Sequence, residues 1–262
     1  MPSEPGDVPW CHAGNGDVKS ALDDVSSPNS IYVNGLNTCW IEQPGSTSGQ
    51  WFGFPSYCKY AIGVKGIYGC TLVIVVSEKG VYISHIWENP VFIDGCCMPT
   101  KDDWFKKHTL DALRDGTEYT QSVASLIGTD QNPGVLNAIY APKVFVLTPF
   151  ATDLDKQWPG IATQLRYQHR AKELARMIAE IIPGSGGDGI TVGYTRTGLA
   201  ESSKQPGVAG RTIVEVQPFH MWLVPPGHCP FAGLQIGRWR LWVEDKLITY
   251  QDFWCPPEMV HG

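Results

Sequence analysis

Charge is scarce in this sequence. Only 18% of the residues are Asp, Glu, Lys or Arg, against about a quarter in an average soluble domain. A disordered chain combines high charge with few apolar residues. Here apolar residues reach 43%, so disorder as the main state is excluded. Basic excess is missing as well: 20 Lys+Arg stand against 26 Asp+Glu, a net charge of −6. A broad electrostatic grip on nucleic acid or on an anionic membrane is therefore not expected. No apolar run reaches the roughly 18 residues of a membrane-spanning helix. The opening Met1-Pro2-Ser3-Glu4 has neither the basic nor the apolar stretch of a signal peptide, and reads either as a cytosolic start or as a mature secreted chain.

Closely spaced cysteine pairs are also absent. The eight cysteines are Cys11, Cys39, Cys58, Cys70, Cys96, Cys97, Cys229 and Cys255. None forms a Cys-x-x-Cys pair, the arrangement by which one tight turn presents two zinc ligands, so no metal is expected. An even number permits a full disulfide framework. The neighbours Cys96 and Cys97 would pair more easily with separate partners than with each other, because the small ring strains the disulfide. Such dispersed positions suit a few disulfides in a secreted protein, or buried free thiols in a cytosolic one. Ten Trp, 28 Gly, 20 Pro and the low charge incline the expectation toward secretion.

What is present is a β-rich chain of 262 residues, long enough to bury roughly three quarters of its unfolded surface. Residues 1–30 are rich in Gly, Pro, Ser and Asp and read as an irregular lead-in, with a short helix near Val18–Val25. Residues 31–262 read as a single catalytic domain. Ile31–Val33 is a short strand closed by the turn pair Asn34-Gly35, and 45–53 reads as a loop. The run from Cys70 to Val76 is continuously apolar and β-branched, as in a strand buried on both faces. Glu78-Lys79-Gly80 supplies a turn, and Val81–Trp87 follows as the second arm of a hairpin. Asn89-Pro90 closes it, since Pro removes a ladder donor. Residues 102–114 read as a helix with Phe105, Leu110 and Leu113 on one face and Gly116 just beyond its end. Pro142–Leu147 is a strand. Residues 159–182 read as the longest helix: Ile161, Leu165, Ala171, Leu174, Ile178 and Ile181 recur near helical spacing, with Arg166, His169, Arg170 and Lys172 on a polar face. Ile190–Tyr194, Thr212–Gln217, Met221–Val224 and Arg238–Ile248 are strand-like. Together these elements predict one α+β domain, a mixed or largely antiparallel β-sandwich with flanking helices and long loops.

Cys70 and His85 carry the chemistry. A turn near residues 77–80 sets residue 70 opposite residue 86 or 87, so His85 is a near-opposite or diagonal neighbour of Cys70, within reach of long side chains. An imidazolium beside a thiol lowers its pKa and generates the thiolate nucleophile. Gly69 lets another backbone approach and leaves the Cys70 amide free to hold an oxyanion. The plainer alternative is a small buried Cys at a strand start and a satisfied His.

These residues resemble a known family. Ile67-Tyr68-Gly69-Cys70, a β-branched strand and a His fifteen residues after the Cys are similar to the catalytic core of cytotoxic necrotizing factor-type toxins, glutamine deamidases that act on Rho-family GTPases. Their signature is Leu-x-Gly-Cys with a downstream His. The resemblance covers residues 60–90, and Ile67 stands where the family has Leu. It implies a β-sandwich, no metal or organic cofactor, and acyl transfer. In that chemistry the Cys70 thiolate attacks a glutamine carboxamide, backbone amides hold the oxyanion, and His85 protonates the departing ammonia and activates water. It implies a protein substrate with an accessible glutamine, a small GTPase being one case, and a toxin or effector role. Some branches place a Thr six residues before the Cys, where this chain has Val64. The toxin branch orients the His with a backbone carbonyl, for which Val33 or Asn34 is the candidate by position. Two other readings stay open: another Cys-dependent acyltransferase of transglutaminase-like type, and a secreted, non-enzymatic β-sandwich binding module.

Other signals are weaker. The Gly184–Gly189 run resembles a phosphate loop, but it follows a helix and precedes a strand, whereas a phosphate loop must precede a helix. Trp239, Trp242, Tyr250, Phe253 and Trp254 could stack a ligand; the alternation of residues 238–243 favours core, with Trp242 the exposed exception. His220, His228 and Cys229 are too loosely spaced for a metal site.

Overall fold

The hairpin expected at residues 70–87 is the centre of the fold. In the computed structural model, which describes residues 38–55, 58–152, 164–196, 210–224, 233–244 and 246–254, β4 (Thr71–Ser77) and β5 (Gly80–Ile86) pair antiparallel around Glu78 and Lys79. Every residue of both strands is buried. Alternating polarity is absent from them because both of their faces are packed. Leu72, Ile74, Val76, Val81 and Ile83 join one apolar core, while Val73, Val75, Tyr82 and Ile86 join another. Each fully buried Val, Leu or Ile contributes about 1.5–3 kcal/mol, so this hairpin supplies a large part of the core.

Around it lies the first sheet, in the order β2 (Thr47–Gly53), β5, β4, β6 (Lys143–Pro149), β7 (Ile190–Tyr194). Its pairs are antiparallel except β6 with β7. The second sheet runs β1 (Thr38–Trp40), β3 (Tyr60–Lys65), β8 (Arg211–Leu223), β9 (Leu234–Val243), β10 (Lys246–Trp254), antiparallel except β1 with β3. The sheets share a core in which Leu72, Ile74 and Phe145 meet Ile62, Val214, Trp239 and Leu241. Phe145 and Trp239 touch edge to face, with centroids 6.3 Å apart. The outer face of the first sheet is covered by α1 (residues 102–115, with a wider π-type turn at Lys107–Asp111) and α2 (Gln168–Ile181). They contribute Phe105, Leu110, Leu113, Ala171, Leu174 and Ile178. The protein is therefore an α+β sandwich of two mixed five-stranded sheets. Among the described residues no helix is long and apolar enough to cross a membrane.

Several local expectations are corrected. Residues 45–53 are not a loop: Thr47–Gly53 is a strand paired along its whole length with β5. The segment is rich in Gly and Ser, and only the partner strand makes it extended. The long helix begins at Gln168, not at 159. Leu165 bridges Phe150, and Tyr167 takes φ +63, a left-handed conformation that cannot continue a helix; residues 159–163 lie outside the described residues. The two segments expected at Thr212–Gln217 and Met221–Val224 form one strand, β8, which ends at Leu223 and has a register shift between Gln217 and Met221. Residues 238–248 are divided between β9 and β10, with Glu244 at φ +55 after β9. Trp242 is buried, not exposed. It packs with Ala61 and Ile213 and donates to the Glu215 carboxylate at 3.1 Å. Trp239 and Phe253 are core as expected, but Tyr250 and Trp254 are exposed. A disulfide framework across all eight cysteines is not formed, since Cys39, Cys70, Cys96 and Cys97 are free thiols. The strand at Ile31–Val33, the helix near 18–25 and Cys11, Cys229 and Cys255 lie outside the described residues.

Candidate active site

The β4–β5 register places the two sequence candidates. Leu72 pairs with His85 and Thr71 with Ile86; one more step sets Cys70 against Trp87. Side chains alternate along a strand, so Leu72 and His85 share the face toward the second sheet; Cys70 lies one residue before β4, and continuing the alternation to it would put it on that face, diagonal to His85. On the other side of β5, Ser48 of β2 pairs with His85, and the Trp87 N–H donates to the Ser46 carbonyl at 2.9 Å. One row across three strands is thus Ser48, His85, Leu72. The next is Ser46, Trp87, Cys70, at the open end of the hairpin.

The electrostatics differ from the expected ion pair. The Cys70 residue is 5% exposed. Burial raises its thiol pKa to about 11; the nearby Glu88 carboxylate adds to the rise, and hydrogen bonds from the backbone of Glu88 and Gly69 oppose it. His85 is fully buried, and burial alone pushes its pKa down to about 4. Neither of its ring nitrogens has a hydrogen-bond partner among the described residues, and the Trp87 indole stands edge-on to it at 5.0 Å. The thiolate–imidazolium pair inferred from spacing is therefore not formed. Both groups are neutral at pH 7, because each alone is too desolvated to ionise. Among the described residues no hydrogen bond joins the Cys70 thiol to the His85 ring.

The strongest polar grouping at the site had no signal in the sequence. Glu88 leaves the end of β5 and is a hub. Its Oε1 lies 2.7 Å from Arg166 Nη1 and accepts from the Tyr167 hydroxyl at 2.8 Å. Its Oε2 accepts from Arg196 Nη2 at 3.0 Å. Arg196 Nε also donates to the Tyr68 carbonyl at 3.2 Å, and the Tyr194 hydroxyl donates to the Cys70 carbonyl at 2.7 Å. A Cβ on Gly69 would lie 2.7 Å from Glu88 Oε2, so a glycine precedes the thiol because a carboxylate occupies that space. Helical spacing puts Arg166 and Arg170 on a solvated face. Instead Arg166 pairs with Glu88, and Arg170 donates to the Phe92 carbonyl and the Thr100 hydroxyl. His169 and Lys172 are exposed as expected. Only folding brings residues 69, 88, 166 and 196 together, which is why spacing could not reveal the cluster.

The remaining candidates are elsewhere. Val33 and Asn34 lie outside the described residues. Val64 is buried on β3 in the core between the sheets. His220 lies on β8, with Nδ1 3.4 Å from Gln217 Oε1; His228 and Cys229 lie outside the described residues. The Gly184–Gly189 run joins α2 to β7, as its order in the chain required. Among the described residues no three His, Cys, Asp or Glu side chains converge as a metal site would require. No protein-family model matches this chain, and no curated protein matches its sequence.

Proposed function

We propose that the protein is a cysteine-dependent amidohydrolase that converts a protein glutamine to glutamate. The observation that supports this reading is the β4–β5 register, Thr71 with Ile86 and Leu72 with His85, which extended by one residue brings Cys70 diagonal to His85 at the open end of the hairpin. As Cys70 Sγ attacks the carboxamide carbon, its proton passes to His85, so no free thiolate is needed beforehand. Backbone amides at the open end of the hairpin, that of Cys70 among them, hold the oxyanion. The imidazolium protonates the leaving ammonia, and His85 then activates the water that hydrolyses the thioester. For this to occur, His85 must turn from the Trp87 edge toward Sγ.

A second reading has its own support. The raised thiol pKa and the unpartnered imidazole also suit a non-enzymatic β-sandwich in which both side chains are core. Iodoacetamide, itself a small carboxamide, separates the two. An amidohydrolase alkylates at Cys70 with the proton passing to His85, so His85→Ala slows the reaction, and it releases ammonia from glutamine-bearing proteins in a way that Cys70→Ser abolishes. A core thiol alkylates only as the pH approaches about 11, with no dependence on His85. That second outcome, together with unchanged turnover in Cys70→Ser, would overturn the enzymatic reading.

A further inference from the structure

Beside His85 the sandwich edge holds a cavity of about 380 Å³. It lies where the segment after β1, strand β2 and the loop at 117–121 meet, and Glu42, Ser48, Gln50, Glu118 and Tyr119 line it. The loop is fastened to the β2 edge, since the Gly49 N–H donates to the Tyr119 carbonyl at 3.0 Å and the Gln121 N–H to the Gly49 carbonyl at 2.8 Å. The cavity is thus a built wall and not a gap in loose chain.

Two independent features point to a ligand. The first is charge. Glu42 and Glu118 are exposed, and among the described residues neither is in an ion pair and no Lys, Arg or His lines the cavity. The second is Ser48. It is 4% exposed, lines the cavity, and its hydroxyl has no hydrogen-bond partner among the described residues. With no partner among those residues and a place in the cavity lining, that hydroxyl is completed by water or by a group of a ligand seated there. Ser48 also pairs directly with His85 across the β2–β5 ladder, so the cavity continues the row that leads to the candidate dyad.

Resting on the amidohydrolase reading, we infer that this cavity is a substrate subsite for a cationic side chain, Lys or Arg, that flanks the target glutamine. The ammonium or guanidinium donates to the Glu42 and Glu118 carboxylates, and the Ser48 hydroxyl meets the substrate backbone. Strands β2 and β4 are two spacings apart, about 10 Å, which an extended peptide covers in about three residues. The cation is therefore expected about three positions from the glutamine.

The probes are two peptides, acetyl-Lys-Gly-Gly-Gln-Gly-Gly-Lys-amide and the same peptide with norleucine in place of both lysines. They are titrated into the full chain carrying Cys70→Ser, followed by calorimetry and by amide chemical shifts. The lysine peptide is expected to bind about tenfold more tightly at low salt and to shift the amides of Ser48 and Tyr119. Glu42→Gln with Glu118→Gln, two exposed and isosteric changes, erases the difference. Equal affinities, no binding of either peptide, or shifts confined to other surfaces would overturn the subsite. Ammonia release from the same pair by the unaltered chain keeps the two ideas separate. Binding at the cavity without ammonia leaves the subsite and overturns the amidohydrolase; ammonia without preference for lysine does the reverse.

Discussion

His85 is a titratable side chain held where its charged form is disfavoured, and this couples stability to pH. Its folded pKa of about 4 lies below the ordinary 6.5, so the unfolded chain takes up the proton first. The stabilising contribution is complete above pH 6.5 and is lost as pH falls through 4, with a slope of up to about 1.4 kcal/mol per pH unit. Urea unfolding of the protein and of His85→Leu at pH 7 and pH 4.5 measures it: the variant is expected to lose less stability on acidification. Equal losses would show that His85 is not buried neutral. Cys70 has the opposite sign. Its folded pKa of about 11 exceeds the ordinary 9.0, so its contribution is complete below pH 9 and is lost as pH rises toward 11. Because the Glu88 charge raises that value, Glu88→Gln is expected to shift the alkylation profile of Cys70 to lower pH. The same variant costs about 1–3 kcal/mol of stability, since Arg166 and Arg196 lose a carboxylate in a partly dry site. A profile that does not move would remove Glu88 from the electrostatics of the thiol.

Among the elements, β4 and β2 show when pattern is enough and when it is not. The continuous apolar run of β4 could be placed only between two packed layers, so its strand, its hairpin and its register were all legible. Strand β2 reads Thr-Ser-Gly-Gln-Trp-Phe-Gly, with no such pattern, and becomes a strand only because β5 offers it a ladder. Gly49 shows the constraint. A Cβ there would lie 2.3 Å from the Tyr82 hydroxyl, which donates to the Gln121 carbonyl at 3.0 Å. Gly49→Ala is expected to cost about 1–3 kcal/mol through overpacking, and Tyr82→Phe in the same chain should return part of that loss by removing the clashing oxygen. Unfolding free energies of the two single variants and the double variant test this; simple additivity would mean that the two groups do not touch. The start of α2 was misread for a related reason. Leu165 fits the helical spacing of residues 161–181, yet it serves a bridge to Phe150, because burial can be met by either conformation.

The two sheets share one layer of buried side chains. Trp239 is fully buried and meets Phe145 across the sandwich. Trp239→Ala is expected to cost about 3–5 kcal/mol and to lower one cooperative transition rather than split it. Two separate transitions in calorimetry would mean that the sheets fold independently. Glu88 joins the end of β5 to Gly69, to Arg166 and Tyr167 before α2, and to Arg196 after β7. The surroundings of Cys70 are therefore assembled from four distant stretches of chain. The acidic cavity at the β1 and β2 edges is built in the same way, from residues 41–50 and 117–121.

Local pattern was sufficient for the sandwich class and for the hairpin with its register. Those features depend on periods and turns a few residues long, in which neighbours along the chain are neighbours in space. Burial of the dyad, the neutral state of both its members, the Glu88 cluster and the cavity beside Ser48 were settled by packing. Each depends on residues some twenty to more than a hundred positions apart whose only connection is the folded chain, and desolvation, which sets the ionisation of both candidate groups, is a property of the surroundings and not of the residue type.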